Sequence, residues 1–316
     1  MTDGRDMAIS TQGLTRSFGD TQAVAALDLE VRRGEMYGLV GPDGAGKSTA
    51  IRLLCGLLKP HGGTGRVLGY ALDTEADALK SHLGYLSQNF TLYGDLSVDE
   101  NIEFFAELHG VPGYRARREE LLAFTRLTPF RARLAQLLSG GMKKKLALAC
   151  TLVHTPDLIF LDEPSTGVDP VSRREFWVIL DRVRAQGVTV FMTTPYLDEA
   201  DRCDRISLMH RGRTVTSGTP AEVKALMPGA LYTIRCPDPA AAYHVLREQW
   251  PATQVVLYGD CLRFWTRRGE LELAEVTQRL ELRGQGPLAV EPAAPSLEDA
   301  FIGLLGDEPA AEGARA

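Results

Sequence analysis

The chain is short of positive charge: 35 Lys and Arg stand against 41 Asp and Glu, a net charge of −6. Totals of that sign do not suggest the broad basic face that nucleic acid requires, so no nucleic-acid partner is expected. No apolar run approaches the ~18–20 residues of a membrane span, so any spans it works with must come from another subunit. The start, Met1-Thr-Asp-Gly-Arg-Asp-Met-Ala, has neither the basic opening nor the apolar stretch of a secretory signal; a cytosolic chain is expected. Cys55, Cys150, Cys203, Cys236 and Cys261 are odd in number and scattered, with no C-x-x-C pair. They read as reduced thiols, mostly buried. The six histidines form no H-E-x-x-H or Cys/His cluster, and no transition-metal site is expected.

What is present is ordinary globular material. The chain has 316 residues, 44% hydrophobic and 24% charged, enough for one large α/β domain and a smaller one. Alternating apolar residues from 8 to about 40 suggest strands, ending in Met36-Tyr-Gly-Leu-Val40. A helix over Ser48–Leu58 is predicted, with Ile51, Leu54, Leu57 and Leu58 on one face, stopping at Lys59-Pro-His-Gly-Gly63. Residues 89–154 read as mostly helical, with helices at Asn101–His109, Arg115–Thr125 and Gly141–Val153. Residues 157–163 and 188–193 read as buried parallel strands joined by a helix from Pro170, with Asp169 as its N-cap. Beyond Met227-Pro-Gly229 the pattern is strand 231–236, helix 239–249, strands 253–258 and 261–266, helix 269–282 and strand 287–291. That βαββαβ order predicts a ferredoxin-like or similar α+β module.

Two segments carry chemistry. Gly41-Pro42-Asp43-Gly44-Ala45-Gly46-Lys47-Ser48-Thr49 fits G-x-x-x-x-G-K-[ST], between a strand and a helix. Its glycines let successive N–H groups wrap a phosphate chain, and the helix start adds partial positive charge. Lys47 is expected to reach the β- and γ-phosphates of a nucleotide and Ser48 to ligate Mg²⁺. Leu158-Ile-Phe-Leu-Asp162 ends an apolar strand in a carboxylate placed to hold Mg²⁺, and Glu163 follows it, placed to polarise an attacking water.

These two segments, with Leu138-Ser139-Gly140-Gly141-Met142 between them, resemble the ATPase subunit of an ABC transporter over about residues 8–225. The resemblance implies an α/β P-loop NTPase (ABC ATPase) core at 8–226, with a helical subdomain inserted at about 89–154. A small α+β, ferredoxin-like accessory module follows at 230–306, and 1–7 and 307–316 are expected as disordered tails. It implies ATP and Mg²⁺ as ligands, with Phe18 stacking on adenine and residues 41–49 and Asp162 binding the nucleotide. Gln88, in Tyr85-Leu-Ser-Gln88, matches the Q-loop glutamine, a contact to Mg²⁺ and the attacking water that acts beside the catalytic Glu163. Residues 138–142 match the signature element, which in the family binds the γ-phosphate of ATP held by a second ATPase domain. Met142 replaces the consensus glutamine. Asp169 lies in the D-loop match, Ser165-Thr-Gly-Val-Asp169. Lys143, Lys144 and Lys145 read as a solvated helix face with no assigned role.

One departure from the family matters. Thr193-Thr-Pro-Tyr-Leu-Asp-Glu-Ala200 places Pro195 where the family has its switch histidine. Proline has no ring donor and no N–H. Two readings stay open: the chain's own site hydrolyses slowly and an unlike partner supplies the faster one, or Glu163 suffices, with Thr194 or a water filling the gap. Residues 88–110 resemble the groove that receives a helix of the membrane permease, with Phe90, Leu92, Tyr93 and Leu96 as its apolar wall. Pro295-Ser-Leu-Glu-Asp-Ala-Phe301 resembles the ending of drug- and antibiotic-type subunits. The expected protein is an exporter subunit, peripheral on the inner face of the cell membrane, working with a second ATPase domain and a permease. The rivals are a soluble ABC protein without transport and a subunit that binds ATP without hydrolysing it.

Overall fold

The computed structural model describes residues 6–89, 92–227, 229–251, 254–266 and 270–305. The chain divides into two compact units at Ser217/Gly218. In the first, a six-stranded sheet runs in the order Arg213–Gly218, Arg205–His210, Met36–Val40, Thr189–Thr194, Leu158–Asp162, Leu83–Leu86. The four pairings from Arg205–His210 through to Leu83–Leu86 are parallel. The three central strands are buried at every position. That explains why residues 157–163 and 188–193 read as continuous apolar runs. Tyr37 stacks on Phe191 with ring centroids 5.7 Å apart. Each such side chain, wholly withdrawn from water, contributes ~1.5–3 kcal/mol.

This strand order positions the candidate site. The loop after Val40, Pro195 after Thr194, Glu163 after Asp162 and Gln88 after Leu86 all leave the carboxyl ends of neighbouring parallel strands. In open α/β sheets that is where ligands bind. A second, antiparallel sheet of the order Thr21–Arg32, Met7–Phe18, Gly62–Val67, Tyr70–Ala71 completes this unit's β structure.

The helix after the phosphate loop is shorter than its pattern predicts. It spans Lys47–Leu54, capped by Cys55. Gly56 then takes φ +68°, which turns the chain. Leu57 is therefore 51% exposed, while Leu58 packs against the core. Helices Val98–Leu108, Tyr114–Phe124 and Gly140–Leu152 make up the 89–154 region. The first is opened by a capping box of Ser97 and Glu100. Asn101, fully buried, accepts from the Tyr93 N–H (3.0 Å) and donates to the carbonyls of Tyr93, Leu96 and Ser97, which fixes the loop before the helix.

The second unit is a four-stranded antiparallel sheet in the order Val255–Tyr258, Cys261–Thr266, Ala230–Arg235, Ala289–Ala293. With helices Pro239–Arg247 and Glu270–Leu282 the chain order is βαββαβ. Ile234, Leu246, Trp250, Phe264, Val276 and Leu280 form its core. The last strand starts at Ala289, two residues later than the pattern predicts, and forms the edge of the sheet. Pro295–Phe301 is a helix start: Ser296 and Asp299 cap one another, and the Asp299 carboxylate accepts from Arg263 at 2.5 Å. The motif thereby fastens helix Leu297–Leu305 to strand Cys261–Thr266.

Candidate functional site

The loop Gly41–Ser48 needs its glycines for two different reasons. A Cβ at Gly41 would lie 2.1 Å from the Met209 carbonyl oxygen, and one at Gly46 would lie 2.1 Å from that of Ala23. Gly44 meets nothing, but its φ is +77°, a conformation that glycine adopts without strain. Gly46, at φ +104°, caps the helix that begins at Lys47. Ala45 is buried, Asp43 and Pro42 are exposed, and Thr49 is half-buried.

Lys47 is 3% exposed. Its ammonium donates to the carbonyls of Gly41 (2.8 Å) and Pro42 (3.1 Å) and lies 3.1 Å from Glu163 Oε1. Gln88 Nε2 donates to Glu163 Oε2 at 3.0 Å. Both oxygens of Glu163 are thus engaged, by residues 116 and 75 positions away in sequence. Glu163 itself sits at φ +48°, held there by N–H donation to Thr193. A left-handed non-glycine residue costs about 1 kcal/mol or more, supplied by its surroundings.

Asp162 Oδ1 accepts from Ser48 Oγ (3.0 Å) and Thr193 Oγ1 (2.7 Å). Its Oδ2 is buried and has no hydrogen-bond partner among the described residues. An unpartnered buried carboxylate oxygen costs ~1–3 kcal/mol or more. Beside a serine hydroxyl it makes an oxygen donor set that fits a hard divalent cation such as Mg²⁺.

Next to this cluster lies Pro195, half-buried at the end of strand Thr189–Thr194. The Thr194 hydroxyl is buried and committed: it donates to Glu199 Oε2 (2.8 Å) and accepts from the Tyr196 N–H (3.0 Å). Its single hydrogen is thus already donated within the turn. Glu199, 1% exposed, also accepts from Ser165 Oγ at 2.5 Å and lies 3.6 Å from Arg173. The Ser165–Asp169 segment and the Pro195 turn therefore share one buried carboxylate, which the sequence did not single out.

Ser139 caps helix Gly140–Leu152, its Oγ accepting from the Met142 N–H at 3.3 Å. Leu138 is buried, Ser139 and Gly140 are exposed, and Met142 is half-buried. A Cβ on Gly141 would lie 2.3 Å from Ser172, in the first turn of helix Pro170–Ala185, so this element and Asp169 are neighbours in one chain. Asp169 caps that helix by accepting from Val171 and Ser172 N–H. Phe18 ends strand Met7–Phe18, 48% exposed, with the Arg16 guanidinium 5.0 Å over its ring.

The lysine run is not a solvated face. Lys145 is 7% exposed and pairs with Glu175 at 2.5 Å, while Lys144 donates to the Gln88 carbonyl at 3.1 Å. The helix is buried from Lys145 through Leu152. The unbroken apolar stretch after Lys145 was the signal that this face turns inward. A groove of about 540 Å³ opens beside Lys144, lined by Gln88, Asn89, Leu92 and Ala147 among others. Of the expected wall residues, Leu92 lines it and Tyr93 packs on Phe104 (centroids 4.5 Å). The Leu96 carbonyl accepts from the Ala135 N–H, and Phe90 lies outside the described residues.

Comparison with known proteins agrees with this architecture. The ABC transporter family matches residues 24–166. The probable multidrug ABC transporter ATP-binding protein YbhF of Escherichia coli is 44% identical over 223 residues, 70% of this chain and 38% of that protein, so the chain spans well under half of that relative's length. The daunorubicin resistance ATP-binding protein DrrA3 of Streptomyces coeruleorubidus is 36% identical over 318 residues, 96% of this chain and 97% of that protein. The solved structure of cbiO1 from Clostridium perfringens, described as part of the ABC transporter complex cbiONQ, superposes with a TM-score of 0.65 at 29% identity, covering 70% of this chain and 91% of that one. With an ABC ATPase core built around this phosphate loop and a relative aligned along nearly its whole length, the chain belongs to the ABC transporter family, among its ATP-binding proteins.

Proposed function

We propose that the chain is the ATP-hydrolysing subunit of an ABC exporter, dimerising with a second ATPase domain around ATP to drive a separate membrane permease. The observation that carries this is the meeting of Lys47, Ser48, Gln88, Asp162 and Glu163 at the ends of adjacent parallel strands. Residues 41–49 cradle the phosphates, and Phe18 offers a ring to the adenine. Ser48, Asp162 and Gln88 would hold Mg²⁺, which when bound neutralises phosphate charge. Lys47 cannot serve both Glu163 and a γ-phosphate fully; an incoming phosphate draws it away and leaves Glu163 Oε1 to orient a water and take its proton. The exposed Ser139-Gly140 helix start would serve the partner's γ-phosphate, with Asp169 at the same interface.

The names of the relatives, multidrug and daunorubicin resistance, support export as the direction. Among the described residues no helix is long and apolar enough to cross a membrane, so the spans are assigned to a separate permease docked at the groove beside Leu92. The chain is placed on the cytoplasmic face of that membrane. No nucleic acid enters the account.

Pro195 favours a finer reading. With Thr194 committed to Glu199, the γ-phosphate side lacks a protein donor at that position, and the chain's own site hydrolyses slowly beside a faster partner site. Steady-state ATPase assays test the core claim. Glu163→Gln is expected to keep nucleotide affinity and lose ~10²–10⁴-fold in rate, the usual effect of a general base. An unchanged rate would overturn the assignment. Co-purification with ribosomes or DNA instead of a permease would overturn the transport role.

A further inference from the structure

The lysine run supplies a contact that neither the phosphate loop nor the signature element explains. Lys144 lies on helix Gly140–Leu152, which opens at exposed Ser139. Its Nζ donates to the Gln88 carbonyl at 3.1 Å, and the Gln88 amide donates to Glu163 Oε2 at 3.0 Å. Burial holds the Lys144 ammonium below its usual pKa, and the Asp162 and Glu163 carboxylates oppose that shift. From Ser139 to Lys144 is five helical residues, ~7.5 Å of rigid rise. Lys144 and Gln88 also line the same groove of about 540 Å³.

We infer that Lys144 is a positioning residue that couples the Ser139–Gly141 element to Gln88, so that a phosphate engaged by that element on a partner domain sets Gln88 against Glu163 in this chain's own site. The inference rests on the function proposed above. A shift of the helix start moves Lys144 with it, because a helix transmits displacement along its axis. The Gln88 carbonyl follows the ammonium, and the Gln88 side chain follows its backbone. The two ATP sites of a dimer are then linked through this chain, and a segment seated in the groove presses on the same joint.

The experiment uses the full chain with Lys144→Met and Lys144→Arg. In Lys144→Met, kcat is expected to fall about tenfold, the effect of losing one charge-assisted hydrogen bond. KM, nucleotide Kd and melting temperature stay at wild-type values, and the Hill coefficient for ATP falls to one. Lys144→Arg, which can still donate to the carbonyl, recovers most of the rate. Hydrogen exchange over residues 84–89, measured with ATP in the Glu163→Gln background, is expected to quicken in Lys144→Met alone, and this readout needs no hydrolysis. Wild-type exchange at 84–89 in Lys144→Met, or equal losses of melting temperature in both Lys144 variants, would overturn the inference. Equal ATPase rates in wild type and Glu163→Gln would instead overturn the hydrolysis reading beneath it.

Discussion

Gly46 and Pro195 show how single residues decide this site. At Gly46 a side chain meets both a left-handed φ of +104° and the Ala23 carbonyl at 2.1 Å, so backbone has to move. Gly46→Ala is expected to lower the melting temperature and abolish nucleotide binding, since the loop's N–H groups lose their common direction; thermal melting with and without ATP checks this. Pro195 stands where the resemblance to the family implies a histidine, and the Thr194 hydroxyl beside it donates to Glu199. Pro195→His is expected to raise the ATPase rate of the assembled complex, and an equal rate would show that the missing donor is not limiting. The loop, Asp162 and Glu163 were legible in the sequence because each chemistry sits within one short segment. Lys145 and Glu199 were not. Their partners, Glu175, Ser165 and Thr194, are brought to them by folding, and a charged residue at a helical position reads as exposed until its neighbours are known.

At the scale of elements, the strand ends do the assembling. Four consecutive sheet neighbours deliver the loop, Pro195, Glu163 and Gln88 to one rim, and only the parallel order of Met36–Val40, Thr189–Thr194, Leu158–Asp162 and Leu83–Leu86 makes them adjacent. The sequence showed Met36–Val40, Leu158–Asp162 and Thr189–Thr194 as strands but not Leu83–Leu86, and it carried no sign of their order, because pairing is a long-range choice. Helix ends were partly readable: Asp169 caps as its residue type predicts, while the Ser97/Glu100 box opens its helix at Val98, three residues before the predicted start. Ser97→Ala is expected to cost ~1 kcal/mol, seen as a lower urea midpoint. Another helix end carries a pH dependence. His109, after helix Val98–Leu108, stacks on His154 at 4.0 Å. Burial, then the His109 charge, lowers the His154 pKa from 6.5 to about 4. The folded state therefore favours neutral His154. This contribution to stability is complete above pH 6.5 and is lost as pH falls toward 4. His154→Gln is expected to flatten the melting temperature between those limits; an unaltered slope would assign the dependence elsewhere.

At the scale of the whole molecule, the chain is an ABC ATPase unit followed by an α+β unit, and the Ser139-Gly140 helix start of the first is exposed. The central claim is that Glu163, freed from Lys47 and held by Gln88, drives hydrolysis of ATP bound at residues 41–49. The most direct measurement is phosphate release in a single turnover from ATP bound to the purified full chain, with Glu163→Gln alongside. The account predicts equal bound ATP in the two proteins and release at least ~100-fold slower in Glu163→Gln. Equal release rates would contradict it.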